Sequence, residues 1–230
     1  MPIKYNDFVI RFANVNGSGS ASANGMFAKA LFRMGIPVAT RNIFPSNIQG
    51  LPTWFEVRVN EQGYLGRREG VDIMVAMNAE TLVEDVASVS PGGYLLYDNS
   101  KPLAKTLRRD DVNEIGIPIA TMMLPEFADP KQRSLFKNIT YLGALAGLLN
   151  IEFEVITGMV ATQYKGKDAL IAPNIRALEI GRDYALRYLQ APLPLQVRRS
   201  DAVGDRIMMD GNDAAGLGAV FGGATVCAWY

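Results

Sequence analysis

The first half of the chain carries its apolar positions in short runs at strand spacing, interleaved with helical repeats. "DFVIRFAN" predicts a strand and "GMFAKALFRM" predicts a helix. Between them lie Gly17, Ser18, Gly19, Ser20, Ala21 and Ser22, a turn almost without side chains. Gly35 suits the C-terminus of that helix, and "IPVATR" predicts a second short strand. The loop "NIFPSNIQGLP" follows, punctuated by Pro, Asn and Gly. In "TWFEVRVN", Phe55, Val57 and Val59 share one face and Glu56 and Arg58 the other, the pattern of a half-buried strand. Apart from Asp72, "VDIMVAM" is continuously apolar, as expected of a strand covered on both sides in a parallel sheet. Asn78 is placed to cap a helix beginning "AETLVEDV", which ends before a Pro91-Gly92-Gly93 turn. "YLLYD" and "IPIATMM" are the next predicted strands. This alternation predicts an α/β domain, a mainly parallel twisted sheet with flanking helices.

From residue 132 the period turns helical. In "SLFKNITYLGALAGLL", Leu135, Ile139, Leu142, Ala146 and Leu149 recur at helical spacing, and Gly143 and Gly147 allow close helix packing. "EFEVITGMVATQY" and "APNIRALEIGRDYALRYL" predict two more helices, the latter with Pro173 near its first turn. The periodicity then fails in "QAPLPLQVRRSDAVGDR", which reads as a linker over 190–206 leaving a domain of residues 1–189. The tail, 207–230, predicts a strand, an Asp/Asn-capped helix of small residues and a second apolar strand. It reads as a fragment of a second α/β domain, cut within that strand with nothing left to complete a core for Val226, Trp229 and Tyr230.

Composition narrows the chemistry. Lys plus Arg balance Asp plus Glu at 23 each, so no global field favours nucleic acid or an anionic membrane. No apolar run of about 18 residues occurs and the N-terminus lacks a signal peptide's apolar core, which predicts a cytoplasmic protein. Histidine is absent, which excludes a Ser-His-Asp triad, a Cys-His pair and a His-ligated metal. Cys227 is the only cysteine, so the chain supplies neither a disulfide framework nor a cysteine set for zinc or an iron–sulfur cluster. Its apolar surroundings predict an inert buried thiol. Demanding chemistry must therefore come from a cofactor or another polypeptide.

The candidate site is the turn after the first strand. Its glycines permit unusual backbone angles, and the helix behind it offers free N–H groups to a phosphate. Gly17-x-Gly19 matches the first half of a dinucleotide fingerprint, but Ser22 stands where the third glycine belongs. No Gly-Lys-Ser/Thr follows, which excludes a nucleoside triphosphate loop. Where NAD proteins hold a ribose-binding acid, "PVATRN" presents Arg41, which suits the extra phosphate of NADP or coenzyme A. The competing readings are a turn approached only by protein and an arginine that is a solvated strand-end charge. Trp54, Phe55, Tyr94 and Tyr97 fit strand packing.

"FANVNGSGSASANGMFAKALFRMGIPV", "FPSNIQGLPTWFEVRV", "VDIMVAMNAET" and "SPGGYLLYD" resemble the gamma-type domain of 2-oxoacid:ferredoxin oxidoreductases. "MMDGNDAAGLGAVFGGATVCAWY" resembles the opening of their pyrimidine-side thiamine domain. That order, gamma-type domain first, is similar to the alpha subunit in the 2-oxoglutarate branch of the family. One departure is Gly50-Leu51, where many relatives carry Gly-Gly. The resemblance implies oxidative decarboxylation of a 2-oxoacid to an acyl-CoA, with electrons passed to ferredoxin. It implies thiamine diphosphate, Mg²⁺ and [4Fe-4S] clusters in the full assembly, not held by this chain alone, and a beta subunit as partner. Coenzyme A becomes the ligand expected at Gly17, Ser18, Gly19, Ser20 and Arg41, and this chain alone is expected to be inactive. A standalone NADP-binding reductase domain and a non-catalytic assembly domain are the alternatives.

Overall fold

The structure, a computed structural model, describes residues 2–15, 18–44 and 53–228. Gly17, Gly50-Leu51, most of the "NIFPSNIQGLP" loop, Trp229 and Tyr230 lie outside the described residues. Along the chain run β1 (Lys4–Tyr5), β2 (Asp7–Asn14), α1 (Ser20–Arg33), β3 (Val38–Ile43) and β4 (Thr53–Asn60). Then come β5 (Val71–Ala76), α2 (Leu82–Ser88), β6 (Val89–Asp98), β7 (Asn113–Ile117) and α3 (Ile119–Met123). The second half holds α4 (Pro130–Leu149), α5 (Phe153–Gln163), α6 (Asp168–Tyr188), β8 (Leu195–Gln196) and α7 (Gly211–Phe221).

Six strands form one sheet in the order β3-β4-β2-β5-β6-β7, and β1 pairs separately with β8. β2, β5, β6 and β7 are parallel, while β4 runs antiparallel to both β2 and β3. The expectation of a mainly parallel sheet with flanking helices holds. Alternation along the strands builds two cores. Phe8, Ile10, Phe12, Val57, Val59, Ile73, Val75 and Leu96 meet α1, α4, α5 and α6 on one face. Met74, Ala76 and Leu95 meet Val86 of α2 on the other. Gly35, at φ +77°, ends α1 as expected: its N–H donates to the Phe32 carbonyl and that of Ile36 to the Leu31 carbonyl.

Several expectations fall. Glu56 is not on a solvated face: it is buried, and Arg11 across the ladder donates to its Oε2 at 2.6 Å. "IPIATMM" divides at Pro118, which separates the last residue of β7 from α3. Pro91-Gly92-Gly93 is not a turn before the strand but lies within β6, where the register to β5 shifts between Val71 and Ile73. Asn78 accepts from the Glu80 N–H, yet α2 starts only at Leu82. α6 starts at Asp168, which places Pro173 inside the helix rather than in its first turn. Leu135 is exposed, although it shares the helical spacing of the buried Ile139, Leu142, Ala146 and Leu149.

The stretch 190–206 is not a free tether. β8 pairs with β1, and the Leu193 and Val197 N–H groups donate to the Leu148 and Leu149 carbonyls. The Asn6 side chain bonds both backbone groups of Arg198, and Val197 and Val203 are buried. Beyond Val203 the picture changes. The tail keeps its helix α7, capped by Asp210 accepting from the Asp213 N–H, but among the described residues neither flanking strand forms. Described residues 211–228 are all exposed, so Cys227 is an exposed thiol and not a buried one. Trypsin is therefore expected to cut first at Arg206, before Arg198 and Arg199, on a time course followed by mass spectrometry. First cleavage at Arg198 or Arg199 would show that the strap is loose in solution.

Candidate functional site

β2 ends at Asn14 near the middle of the sheet, and the chain turns through Ser18 and Gly19 into α1. Gly19 sits at the helix N-cap with φ +76°, a conformation that disfavours any side chain, and a Cβ there would lie 3.1 Å from Leu135 Cδ2. Among the described residues no side chain caps α1, and no acidic residue stands in its first turn. Its first N–H groups, at the positive end of the helix dipole, are thus left open.

Three buried side chains hold this turn in place. Tyr141 of α4 donates its hydroxyl to Asn24 Oδ1 at 2.7 Å, and Asn24 Nδ2 donates to Asn14 Oδ1 at 3.1 Å. Asn14 Nδ2 closes the ring on the Tyr141 oxygen at 3.4 Å. β2, α1 and α4 are thereby joined by one hydrogen-bonded ring, and burial pushes the Tyr141 phenol up. Asn138 Nδ2 adds a 2.6 Å bond to the Ser18 carbonyl, and Gln163 of α5 donates to Ser22 Oγ at 2.9 Å. Tyr141→Phe is expected to lose about 1–3 kcal/mol of stability in urea unfolding, since it orphans polar atoms of both asparagines. An unchanged midpoint would mean that the ring contributes nothing.

Two clefts open on either side of the carboxyl end of β2. Toward β4 and β3 lies one of about 500 Å³, where Gly19, Ser20 and Ala21 face Asn42, Phe44, Trp54 and Phe55. Toward β5 and β6 lies one of about 360 Å³, bordered by Ser18, Met77, Asp98, Ser134, Lys137 and Asn138. Of the residues singled out by sequence, Ser18, Gly19 and Ser20 line these clefts, and Gly17 lies outside the described residues. Arg41 does not join them. β3 pairs with β4 rather than β2, and Arg41 stands in register with Glu56, on the face opposite Asn42. It is exposed at the sheet edge, so the analogy to the ribose-binding acid of a dinucleotide fold, which assumes adjacent strands, does not apply. Lys137, Asn138 and Tyr141 escaped the sequence reading, because on a helical repeat they look like the polar flank of α4.

Among the described residues no three His, Cys, Asp or Glu side chains stand together to hold an ion. The lone exposed Cys227 cannot ligate a four-cysteine cluster by itself. Among the described residues no helix is long and apolar enough to cross a membrane.

Comparisons with known proteins agree with this architecture. A family described as pyruvate ferredoxin/flavodoxin oxidoreductase matches residues 9–184. Over 97% of its length the chain is 24% identical to subunit alpha of 2-oxoacid:ferredoxin oxidoreductase 2 from Aeropyrum pernix, covering 41% of that protein. Over 52% of its length it is 28% identical to ketoisovalerate oxidoreductase subunit VorA from Methanothermobacter marburgensis, covering 24% of it. Among solved structures it is similar to 2-oxoglutarate:ferredoxin oxidoreductase from Magnetococcus marinus, with TM-score 0.79 and 27% identity. That likeness covers 96% of this chain and 38% of the other, whose structure has 2-oxoglutarate, coenzyme A and succinyl-CoA bound. Pyruvate oxidoreductase subunit PORC from Thermotoga maritima shares the fold, with TM-score 0.61 and 23% identity over 77% of this chain and 96% of that one. The chain spans about two-fifths of the Aeropyrum relative. Residues 9–184 are most of its length, and on that match the chain belongs to the pyruvate ferredoxin/flavodoxin oxidoreductase family.

Proposed function

We propose that this chain is part of an enzyme that oxidatively decarboxylates a 2-oxoacid, 2-oxoglutarate in the first instance. Carbon dioxide leaves, the acyl group passes to the coenzyme A thiol, and the electron pair goes to ferredoxin. The observation that carries the reading is the likeness, over nearly the whole chain, to a structure holding 2-oxoglutarate, coenzyme A and succinyl-CoA. Thiamine diphosphate, Mg²⁺ and the iron–sulfur clusters belong on this reading to other parts of a cytoplasmic assembly that includes a beta subunit. Residues 207–230 open a second, thiamine-type domain, and residues 1–189 serve assembly and coenzyme A access.

The turn is the proposed coenzyme A contact. Gly19 and Ser20 let a phosphate approach the open N–H groups of α1, while Phe44, Trp54 and Phe55 offer flat apolar surface to a base. Arg41, set on the other face, is expected to matter less than the turn. In the assembled enzyme, viologen reduction with 2-oxoglutarate should require coenzyme A, and Gly19→Val should raise its KM roughly tenfold or more. Arg41→Ala should change it less than about threefold. If instead Arg41→Ala alone weakens coenzyme A, the site lies at the sheet edge. If the chain binds NADPH and not coenzyme A by calorimetry, it is a reductase domain. Turnover by the isolated chain would contradict its role as a non-catalytic part.

A further inference from the structure

β7 is an outer strand of the sheet, and its bonds to β6 reveal which of its backbone groups face outward. The Gly92 N–H donates to the Asp111 carbonyl and the Asn99 N–H to the Ile117 carbonyl. Backbone groups alternate in direction along a strand. Asn113, Ile115 and Ile117 therefore turn theirs toward β6, and Glu114 and Gly116 turn theirs away. Neither Glu114 nor Gly116 makes a backbone bond to any other described residue on that side. Two donors and two acceptors are left open at this edge, a template for a further strand.

A cleft of about 690 Å³ opens beside that edge. β7 contributes Asn113, Glu114 and Ile115 to its lining, and the end of α6 and the strap contribute Tyr188, Leu189 and Leu193. Tyr94, the ladder partner of Asn113, stands in the same lining. It is 8% exposed, and its hydroxyl has no hydrogen-bond partner among the described residues. Unlike Ser18 Oγ, that hydroxyl is not closed off from solvent, so it is free to donate to a group entering the cleft. Tyr94 and Ile115 belong to the core under α4 and α6, which puts the cleft on that face of the sheet. Glu114 points to the other face, where its carboxylate is held loosely. Arg108 Nε is 3.8 Å from its Oε1, and the Tyr97 hydroxyl is 3.4 Å from its Oε2.

We propose that the β7 edge and this cleft receive an extended segment of a partner polypeptide, which adds a strand to the sheet. The segment pairs through the outward groups of Glu114 and Gly116. Its residue opposite Glu114 lies on the same face as that carboxylate and is basic, supplying the cation that Arg108 provides only at a distance. The residues on either side of it point into the cleft and are apolar, covering Ile115, Leu148 and Leu193. A carbonyl of the segment accepts from the Tyr94 hydroxyl. Charge argues against a second copy of this chain as the occupant. Laid antiparallel through the same outward residues, a second β7 sets either Gly116 or another Glu114 opposite Glu114, and neither is a cation. The site lies toward the amino end of β7, away from the turn at the carboxyl end of β2, and does not depend on the coenzyme A reading.

The probe is the blocked peptide acetyl-Thr-Val-Lys-Val-Thr-amide, titrated into the full chain while backbone amide signals are followed by NMR. Saturable shifts are expected at Glu114, Ile115 and Gly116, with slowed hydrogen exchange at the Glu114 and Gly116 amides. Glutamate in place of the peptide lysine should weaken binding roughly two- to fivefold. Tyr94→Phe keeps the ring and loses the donor, and should weaken it roughly two- to tenfold. Glu114→Gln and Glu114→Pro both lack the charge, but only proline also removes the outward N–H while leaving the bonds to β6. Glu114→Pro should therefore bind about threefold or more weakly than Glu114→Gln. Should the proline variant not fold, Tyr94→Phe and the glutamate peptide still decide. The inference is overturned if the peptide shifts none of these amides, or if the glutamate peptide and Tyr94→Phe both bind as well as the originals. Shifts at the same amides on concentrating the protein without peptide would overturn it in favour of a second copy.

Discussion

Gly143→Ala is expected to destabilise the protein by about 3 kcal/mol or more, which for a domain of marginal stability approaches loss of the fold. The cause is the crossing of α4 and α6. A Cβ on Gly143 would fall onto the Leu178 carbonyl and lie 2.8 Å from its Cα, so backbone rather than a pliable side chain must move. The contact is reciprocal: a Cβ on Gly181 would fall onto the Thr140 carbonyl and lie 2.8 Å from the Ala144 nitrogen. Two glycines thus let two helix backbones touch, and the same crossing carries Tyr141 and Asn138 toward the turn at the end of β2. Gly25→Ala is the control. Gly25 is inside α1, a Cβ there would meet no described atom within 4 Å, and the substitution should stabilise by about 0.5–1 kcal/mol. Urea unfolding of both variants measures the contrast. Equal midpoints for Gly143→Ala and the native protein would mean that the helices cross further apart in solution.

Asp85 makes the second large effect. Burial pushes its carboxyl from the usual 3.8 up to about 6, outweighing the hydrogen bonds it accepts from Trp54 Nε1 at 2.7 Å and Thr81 Oγ1 at 2.8 Å. Glu84 pushes in the same direction as burial and Arg11 against it. Between those two pH values the folded protein holds a proton that the unfolded chain has released, so stability falls as pH rises. Asp85's favourable share is complete below about pH 3.8 and is gone above about pH 6, a difference of about 3 kcal/mol. Other carboxylates slope the opposite way: Arg176 holds Glu126 below its usual range and Arg199 does the same to Glu152. The informative quantity is therefore the difference between the native protein and Asp85→Asn. The amide still accepts from the Trp54 indole but carries no charge. It should stabilise by about 1–3 kcal/mol at about pH 7.5 and by little at about pH 4. Asp85→Ala should destabilise at both, because Trp54 and Thr81 lose their partner. Were the Asp85→Asn difference flat across that range, the carboxyl would not be ionising in the folded state.

What the sequence determined by itself is what local period and residue type can carry. The β2–turn–α1 unit follows from an apolar run, a stretch of Gly and Ser and a helical repeat, all within residues 7 to 33. The same is true of β5, apolar on both faces from Ile73 to Ala76, and of α4, α5 and α6, misplaced only at their ends. The absence of histidine and the single cysteine removed whole classes of chemistry before any fold was known. Family membership lay in the motifs around the turn. Tertiary structure alone decided which strands are neighbours, and every error of substance descends from that. Arg41 stands apart from both clefts beside the turn because β3 lies beyond β4, and Glu56 is buried opposite Arg11. Lys137 and Asn138, some 120 positions from Ser18, line a cleft beside it because α4 lies over the carboxyl end of β2. The strap at 190–203 is ordered by β1 and the α4 terminus, whereas the equally apolar tail finds no described strand beside it and forms only its helix. Periodicity records which side of an element seeks burial. It does not record what will cover that side, because pairing and packing join residues far apart in the chain.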